Sequence, residues 1–287
     1  MRFSLSLVVL PIQTIASDLP RDFVYELLTP PLPLIVDVGA ADGEITRKLR
    51  LLGDDDTRVV AFEPYPPNIR YFESTTKDLD SVVLVTKAVS DVAGPSVFFV
   101  PSRVSGSEPG WENRVGYSSV GHIARSSKDH IASLLRRTER IRVQTTTLDD
   151  EFHVPISFLK VDVQGAESHV LRGAQHLLSN HLIHMAYVEW SGDPEVISTL
   201  ARHRYRTYDS HYIGWSALGP SVFEEEGFEV VDETDLSIGQ RGLIMINLDP
   251  DPGRKMRRIN SMSDTWIQTD LISVPPERQL DFESRFA

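Results

Sequence analysis

Four short apolar runs in this chain each end on an acidic residue or a glycine turn and then give way to helical spacing. They are Leu34–Val38, Arg58–Phe62 closed by Glu63-Pro64, Phe158–Val163, and His184–Glu189. A short, mostly apolar run reads as a strand buried on both faces. Strands that alternate with helical segments build parallel βαβ units and a doubly wound sheet. In such a sheet ligands sit outside the carboxyl ends of the strands, so the acidic residues that close the runs fall on the functional edge.

The segments between the strands agree with this reading. GAADG (39–43) is a tight turn into a helix over EITRKLRLL that stops at Gly53. Pro67–Asp78 has helical spacing with Ile69, Tyr71, Phe72 and Thr76 inward, and Ser81–Val89 and Ser96–Val100 read as third and fourth strands. Strand signal returns at Ile141–Leu148, and a helix is expected over Ser168–Ser179. A second helix runs over Asp193–His203, capped by Ser191 or Asp193. Tyr205–Tyr208, Phe228–Val231 and Leu243–Leu248 read as late edge strands.

The expected fold class is therefore α/β, a Rossmann-like, doubly wound, mostly parallel sheet with an antiparallel edge. The main domain is expected to span 31–248. Residues 1–30 form an N-terminal segment, 101–140 an irregular insertion or lid, and 249–287 a tail of little pattern. Residues 1–16 have one positive charge, an apolar run from Phe3 to Leu10 and Thr14-Ile15-Ala16 before Ser17. That pattern fits either a domain-covering segment of a cytoplasmic protein or a cleaved signal peptide, which would place the chain in the secretory pathway. No apolar run reaches the ~18 residues a transmembrane span needs. The sequence leaves the oligomeric state open.

Composition removes several function classes. A net charge of −12 disfavours a protein that coats nucleic acid. Cysteine is absent, so disulfides, zinc–thiolate sites and a cysteine nucleophile are excluded. No Gly-Lys dipeptide, HExxH or GxSxG occurs.

Three clusters can carry chemistry. In DVGAADG the glycines are spaced GxxxG, unlike the GxGxxG of dinucleotide binders. Asp37 and Asp42 beside that turn suit a sulfonium or ammonium ligand better than a pyrophosphate, which favours S-adenosylmethionine over a nicotinamide. Glu63 closes the second strand, where a carboxylate can accept both ribose hydroxyls. FLKVDVQGAESHVLRGA (158–174) places Asp162, Gln164 and Glu167 around a strand end, and Glu189 closes the following strand. These can act as a base or as hydroxyl-orienting acceptors, while Glu167 can equally cap the helix it opens. His122, Ser118 and Ser119 in YSSVGH are candidate base and acceptor contacts. Trp190 and Trp215 are aromatic faces for a sugar, or core.

DVGAADG, FEPYPPN, KAVSDVAG, TTTLDD and FLKVDVQGAESHVLRGA together resemble the FkbM-type methyltransferases in order and spacing, from about Leu34 to Glu189. The resemblance implies a class I, S-adenosylmethionine-dependent enzyme that methylates hydroxyl groups of sugars and natural products. It implies that Asp37, Gly39 and Gly43, with Ala41, shape the methionine side of the cofactor site. Glu63 and Pro64 would hold the ribose, and Ala88 and Asp91 would lie near the adenine. Asp162 would stand where the methyl group meets the acceptor, with Gln164, Glu167 and Glu189 on the substrate side and no metal. The family most often shows Asp-Val-Glu-Gly where this chain reads Asp162-Val163-Gln164-Gly165, and a Gln cannot act as base or anionic ligand. The expected function is O-methylation of a carbohydrate or hydroxylated small metabolite. The alternatives are an inactive methyltransferase-like binding module and a nicotinamide-dependent oxidoreductase.

Overall fold

The computed structural model describes residues 25, 27–101, 138–190, 193–209 and 269–284. Among the described residues ten strands lie in two sheets. The larger holds seven strands in the order β3-β2-β1-β7-β8-β10-β9. Its members are β1 (Leu34–Val38), β2 (Arg58–Phe62), β3 (Val82–Val85), β7 (Phe158–Val161), β8 (Ala186–Trp190), β9 (Arg206–Asp209) and β10 (Thr269–Val274). The pairs from β3 to β8 are parallel, and β10 pairs antiparallel with both β8 and β9. The expected mostly parallel sheet with an antiparallel edge is thus present. The smaller sheet is β4-β6-β5, built from Ala88–Val89, Thr138–Thr146 and Gly94–Pro101.

Alternation along each strand divides the core into two layers. Val36, Val38, Val60, Leu159, Val161, Ala186, Val188 and Trp190 face one layer. Ile35, Val59, Phe158, Tyr187 and Ile272 face the other, with Tyr25 edge-on to both Phe158 and Tyr187. Helix α1 (Glu44–Leu52) leaves β1 through Gly43, whose φ of 85° needs glycine and whose Cβ would meet the Phe72 ring at 2.9 Å. Helix α2 (Pro66–Thr76) opens on a proline, where the missing N–H costs nothing. Its inward face is Asn68, Phe72 and Thr76, and Tyr71, expected inward, is exposed.

Three boundaries depart from the sequence reading. The third strand stops at Val85, because the chain then leaves the large sheet and its Ala88–Val89 stretch pairs with β6 in the small one. The helix expected over 168–179 is broken into α4 (Glu167–Arg172) and α5 (Gln175–Ser179), after the short α3 (Leu148–Glu151). The break falls at Gly173, where a Cβ would lie 2.1 Å from the Ser90 carbonyl oxygen, so the helix gives way to let that backbone pass.

The third departure is the largest. Within the stretch read as a patternless tail, Thr269–Val274 forms β10, wedged between β8 and β9. A helix, α7 (Gln279–Ser284), follows and sets Phe282 against Tyr208 at 5.0 Å between ring centroids. Glu277 meets His181 at 2.9 Å and fastens the same segment to the body. Helix α6 (Pro194–Arg202) is capped as expected by Asp193, which accepts from the Glu195 N–H at 2.9 Å. The expected strands at 228–231 and 243–248, the 1–16 segment and most of the 101–140 insertion lie outside the described residues.

Candidate active site at the carboxyl edge

The strand order reverses between β1 and β7, the topological switch where α/β sheets open a crevice for ligands. The register shows what lines it. Asp37 pairs in position with Lys160, and Lys160 with Tyr187. Because side chains repeat their face every second residue, the next row on that face holds Glu63, Gly39, Asp162, Glu189 and Asp270 across five adjacent strands. Four carboxyl groups thus share one line at the carboxyl edge, interrupted by a glycine above β1.

Gly39 is held by packing. With φ at 81°, a Cβ there would stand 1.9 Å from the Asp162 carbonyl oxygen. The strand ends therefore approach closely enough to bring β7's terminal residue alongside the β1 turn, as the Asp162 N–H to Val38 carbonyl bond of 3.0 Å also requires.

Glu63 is buried, and its two oxygens accept from the Ala41 and Tyr65 N–H groups at 2.9 and 2.8 Å. The first bond draws Ala41 into φ 49°. Burial pushes the Glu63 carboxyl up to about 7, against hydrogen bonds from Tyr65, Asn68 and Ala41 and the charge of Lys160. Pro64 follows it into the turn before α2. Asp37 sits one row behind the edge and is wholly buried. It receives the Thr46 hydroxyl at 2.6 Å and the Lys160 ammonium at 3.1 Å.

Lys160 itself is a residue the sequence reading passed over. Its ammonium also donates to the Gly39 carbonyl at 3.2 Å and lies 3.8 Å from Asp162. Burial alone would lower its pKa, but the charges of Asp37 and Asp162 overrule that and keep it firmly protonated. The signal was a lone lysine in a four-residue strand with every position buried, where a charge has to be paired.

Asp162 remains partly open, its side chain 29% exposed. Gln164, at φ 56°, donates to Asp162 Oδ1 at 2.7 Å, so the amide orients the acid. Glu167 turns inward on its own loop: its oxygens accept from the Val163 and Gly165 N–H groups at 2.9–3.1 Å. It therefore caps the turn, and burial lifts its carboxyl to about 7. Glu189 is buried between Asp162 and Asp270; burial, then the charges of Asp162, Asp270 and Glu167, drive its carboxyl far above the usual range. Asp270, which accepts the Tyr187 hydroxyl at 2.8 Å, belongs to β10 and was missed with it.

Other expected residues stand apart. Ala88 and Asp91 belong to the small sheet and its following turn. Asp91 faces Arg172 at 3.3 Å and His169 at 3.4 Å; burial would raise it, but bonds from Ser90, His169 and Arg172 hold it below the ordinary range. Trp190 is core, donating to the Asp193 carbonyl at 2.7 Å. His122, Ser118, Ser119 and Trp215 lie outside the described residues. Among the described residues, no group of three His, Asp or Glu side chains is placed to hold a metal ion, and no helix is long and apolar enough to cross a membrane. A hollow of about 750 Å³ under Pro30–Pro33, Ser157 and Arg278 lies at the opposite, amino edge of the strands and is separate from this site.

The methyltransferase FkbM domain matches residues 37–209, more than half of the chain. The chain belongs to the FkbM methyltransferase family. The expectation raised by the five motifs is borne out, and with it the class I methyltransferase fold. This FkbM methyltransferase is similar to the 2-O-methyltransferase NoeI of Sinorhizobium fredii, at 29% identity over 174 residues, covering 58% of this chain and 67% of the relative. A crystal structure of methyltransferase FkbM from Methylobacillus flagellatus KT superposes with a TM-score of 0.39 at 17% identity, covering 61% of this chain. This chain spans about two fifths (39%) of that protein's length. Aeropyrum pernix fibrillarin, whose crystal structure holds natively bound S-adenosyl-L-methionine, superposes with a TM-score of 0.34 at 11% identity, covering 68% of this chain and 66% of that one.

Proposed function

We propose that this FkbM methyltransferase uses S-adenosylmethionine and methylates a hydroxyl group of a carbohydrate or a hydroxylated small metabolite. The observation that carries the reading is the carboxyl row at the switch point: Glu63 beside the glycine turn at one end, partly open Asp162 at the centre. A line of acids backed by a lysine already engaged with Asp37 fits a cationic cofactor and repels a pyrophosphate. The printed name of the similar protein NoeI, a 2-O-methyltransferase, supports a hydroxyl acceptor.

When bound, the cofactor supplies an activated methyl group. The protein's share is alignment and proton handling. Glu63, fixed by two backbone N–H groups, would accept the ribose hydroxyls. Asp162, fixed by Gln164, accepts the hydrogen bond of the acceptor hydroxyl and takes its proton as the oxygen becomes the nucleophile. Alignment is the larger contribution to such a displacement, and a positioned base adds about 10²–10⁴-fold.

Calorimetry with S-adenosylmethionine and S-adenosylhomocysteine tests the cofactor, with Glu63→Ala as control. Radiolabelled methyl transfer onto a panel of oligosaccharides and hydroxylated metabolites tests the acceptor. Binding that is lost in Glu63→Ala is expected. No binding, or binding of NADH in its place, refutes the reading.

A further inference from the structure

Asp162, Glu189 and Asp270 stand side by side on β7, β8 and β10, whose spacing is about 4.8 Å. Glu189, in the middle, is 3% exposed, flanked by the two aspartates in register, and its buried Oε2 has no hydrogen-bond partner. Neighbouring carboxylates that are both ionised repel each other and can only accept hydrogen bonds, so with Glu189 out of water one of this pair carries a proton. Which one follows from the partners. Asp162 receives the Gln164 amide at 2.7 Å, has the Lys160 ammonium at 3.8 Å, and is partly solvated, all of which favour its anion. The charged groups that face Glu189 are acids: Asp162 from the end of β7, Asp270 from β10 and Glu167 from α4. Lys160, one row behind, is taken up by Asp37 and the Gly39 carbonyl, and Tyr187 spends its hydroxyl on Asp270. An ionised Glu189 would leave a buried anionic oxygen unsatisfied.

We propose that Glu189 is a positioning residue of the site, a carboxylic acid that stays neutral at physiological pH and donates its proton as a hydrogen bond to Asp162. In this arrangement the pair holds a single negative charge, placed on the open Asp162. Glu189 orients that carboxylate from the neighbouring strand as Gln164 orients it from the following turn. The acid that receives the acceptor's proton is thus oriented by two donors, one of them an acid itself. The neutral state of Glu189 belongs to the resting protein, and the proton-accepting role of the Asp162 that it orients rests on the proposed function.

Infrared spectroscopy of the full chain carrying ¹³C-carboxyl glutamate reads the state directly. It is recorded at about pH 8.5, where Glu63 and Glu167, near 7, are mostly ionised. A protonated-carboxyl stretch is expected in the unsubstituted protein and is expected to vanish in Glu189→Gln. In Asp162→Asn and in Asp270→Asn, which keep Glu189 and need no fold-sensitive comparison at that position, the pH at which the band disappears is expected to fall by at least about one unit. The absence of the band from the unsubstituted protein, its persistence in Glu189→Gln, or a midpoint unmoved by both aspartate changes overturns the proposal. A merely structural Glu189 would leave no such titration to move.

Discussion

The buried pair of Lys160 and Asp37 allows the most quantitative test of how this edge is held together. Lys160→Met keeps the length and apolar stem of the side chain and removes its charge. In the folded protein the lysine side chain is 6% exposed and the aspartate 0%, so neither can turn to solvent. The change deletes the 3.1 Å bond to Asp37, the 3.2 Å bond to the Gly39 carbonyl and the 3.8 Å contact with Asp162. Asp37 keeps the Thr46 hydroxyl, a neutral donor, to support a fully desolvated charge. Removing one partner of a buried pair costs about 3–5 kcal/mol. At about 2–4 °C per kcal/mol for a domain of this size, that lowers Tm by roughly 6–20 °C. The assay is urea unfolding followed by tryptophan fluorescence, on Lys160→Met, Asp37→Leu and the double variant. Because apolar replacements of similar volume are often neutral against a buried pair, the double variant is expected to recover most of the single loss. A loss below about 1 kcal/mol in Lys160→Met, or a double variant as unstable as the sum of the singles, refutes the argument that charge desolvation dominates here.

Five further outcomes are expected. Gly39→Ala, which forces a Cβ within 1.9 Å of the Asp162 carbonyl at a positive φ, costs about 2–5 kcal/mol in unfolding experiments. Gly94→Ala has open space and a φ of 134°, so it costs only the backbone strain, about 1–2 kcal/mol. Glu63, lifted to about 7, has to ionise before it can accept from two N–H groups and a diol at once, so S-adenosylmethionine affinity measured by calorimetry rises from pH 6 to pH 8; a flat profile contradicts this role. Glu63 and Glu167 have folded values above the unfolded one, so their contribution to stability is complete below the ordinary carboxyl range and is lost as pH rises through about 7. The urea midpoint accordingly falls between pH 5 and pH 8, and Glu167→Gln makes the fall shallower. Finally, a chain stopped at residue 248 lacks Leu271, Ile272, Val274 and Phe282, all buried, and does not give a cooperative unfolding transition by circular dichroism.

The parts of the fold that could be read in advance are those where one strand or helix carries its own pattern. LIVDV, RVVAF and AYVEW are mostly apolar, and the acids within or just after them, Asp37, Glu63 and Glu189, mark the edge on which the site lies. Asp193-Pro194 announces a helix start by local chemistry alone. What escaped depends on contacts distant in sequence. Gly173 breaks a helix because Ser90, in another sheet, passes beside it. TDLISV looks like an ordinary mixed stretch, and only the gap between β8 and β9 makes it a core strand. Glu167 was legible as either cap or acceptor, and its bonds from the Val163 and Gly165 N–H groups show the capping role, which the sequence alone left open. Asp37 was read from its turn as shaping the methionine side of the cofactor site, and its ion pair with Lys160, its neighbour on β7, was not legible there.

The position of β10 has a consequence for the order in which the protein comes into being. Synthesis delivers β8 and β9 early, and the strand that separates them arrives 60 residues after Asp209, at Thr269. Until then β8 is paired on its β7 side alone and β9 lacks the strand that ties it to the sheet, so two lines of backbone donors and acceptors stand open to solvent or to another chain. Pairings this distant along the chain form slowly and leave an emerging polypeptide exposed to wrong partners, so this is the stage at which a chaperone has something to cover. The same timing governs the acids. Asp162 and Glu189 are made together, but Asp270, which presses on Glu189 from the far side, is supplied by the last strand. The charge arrangement at the edge is therefore completed only when the sheet is, and a growing chain holds the motifs of its family well before it holds their electrostatics.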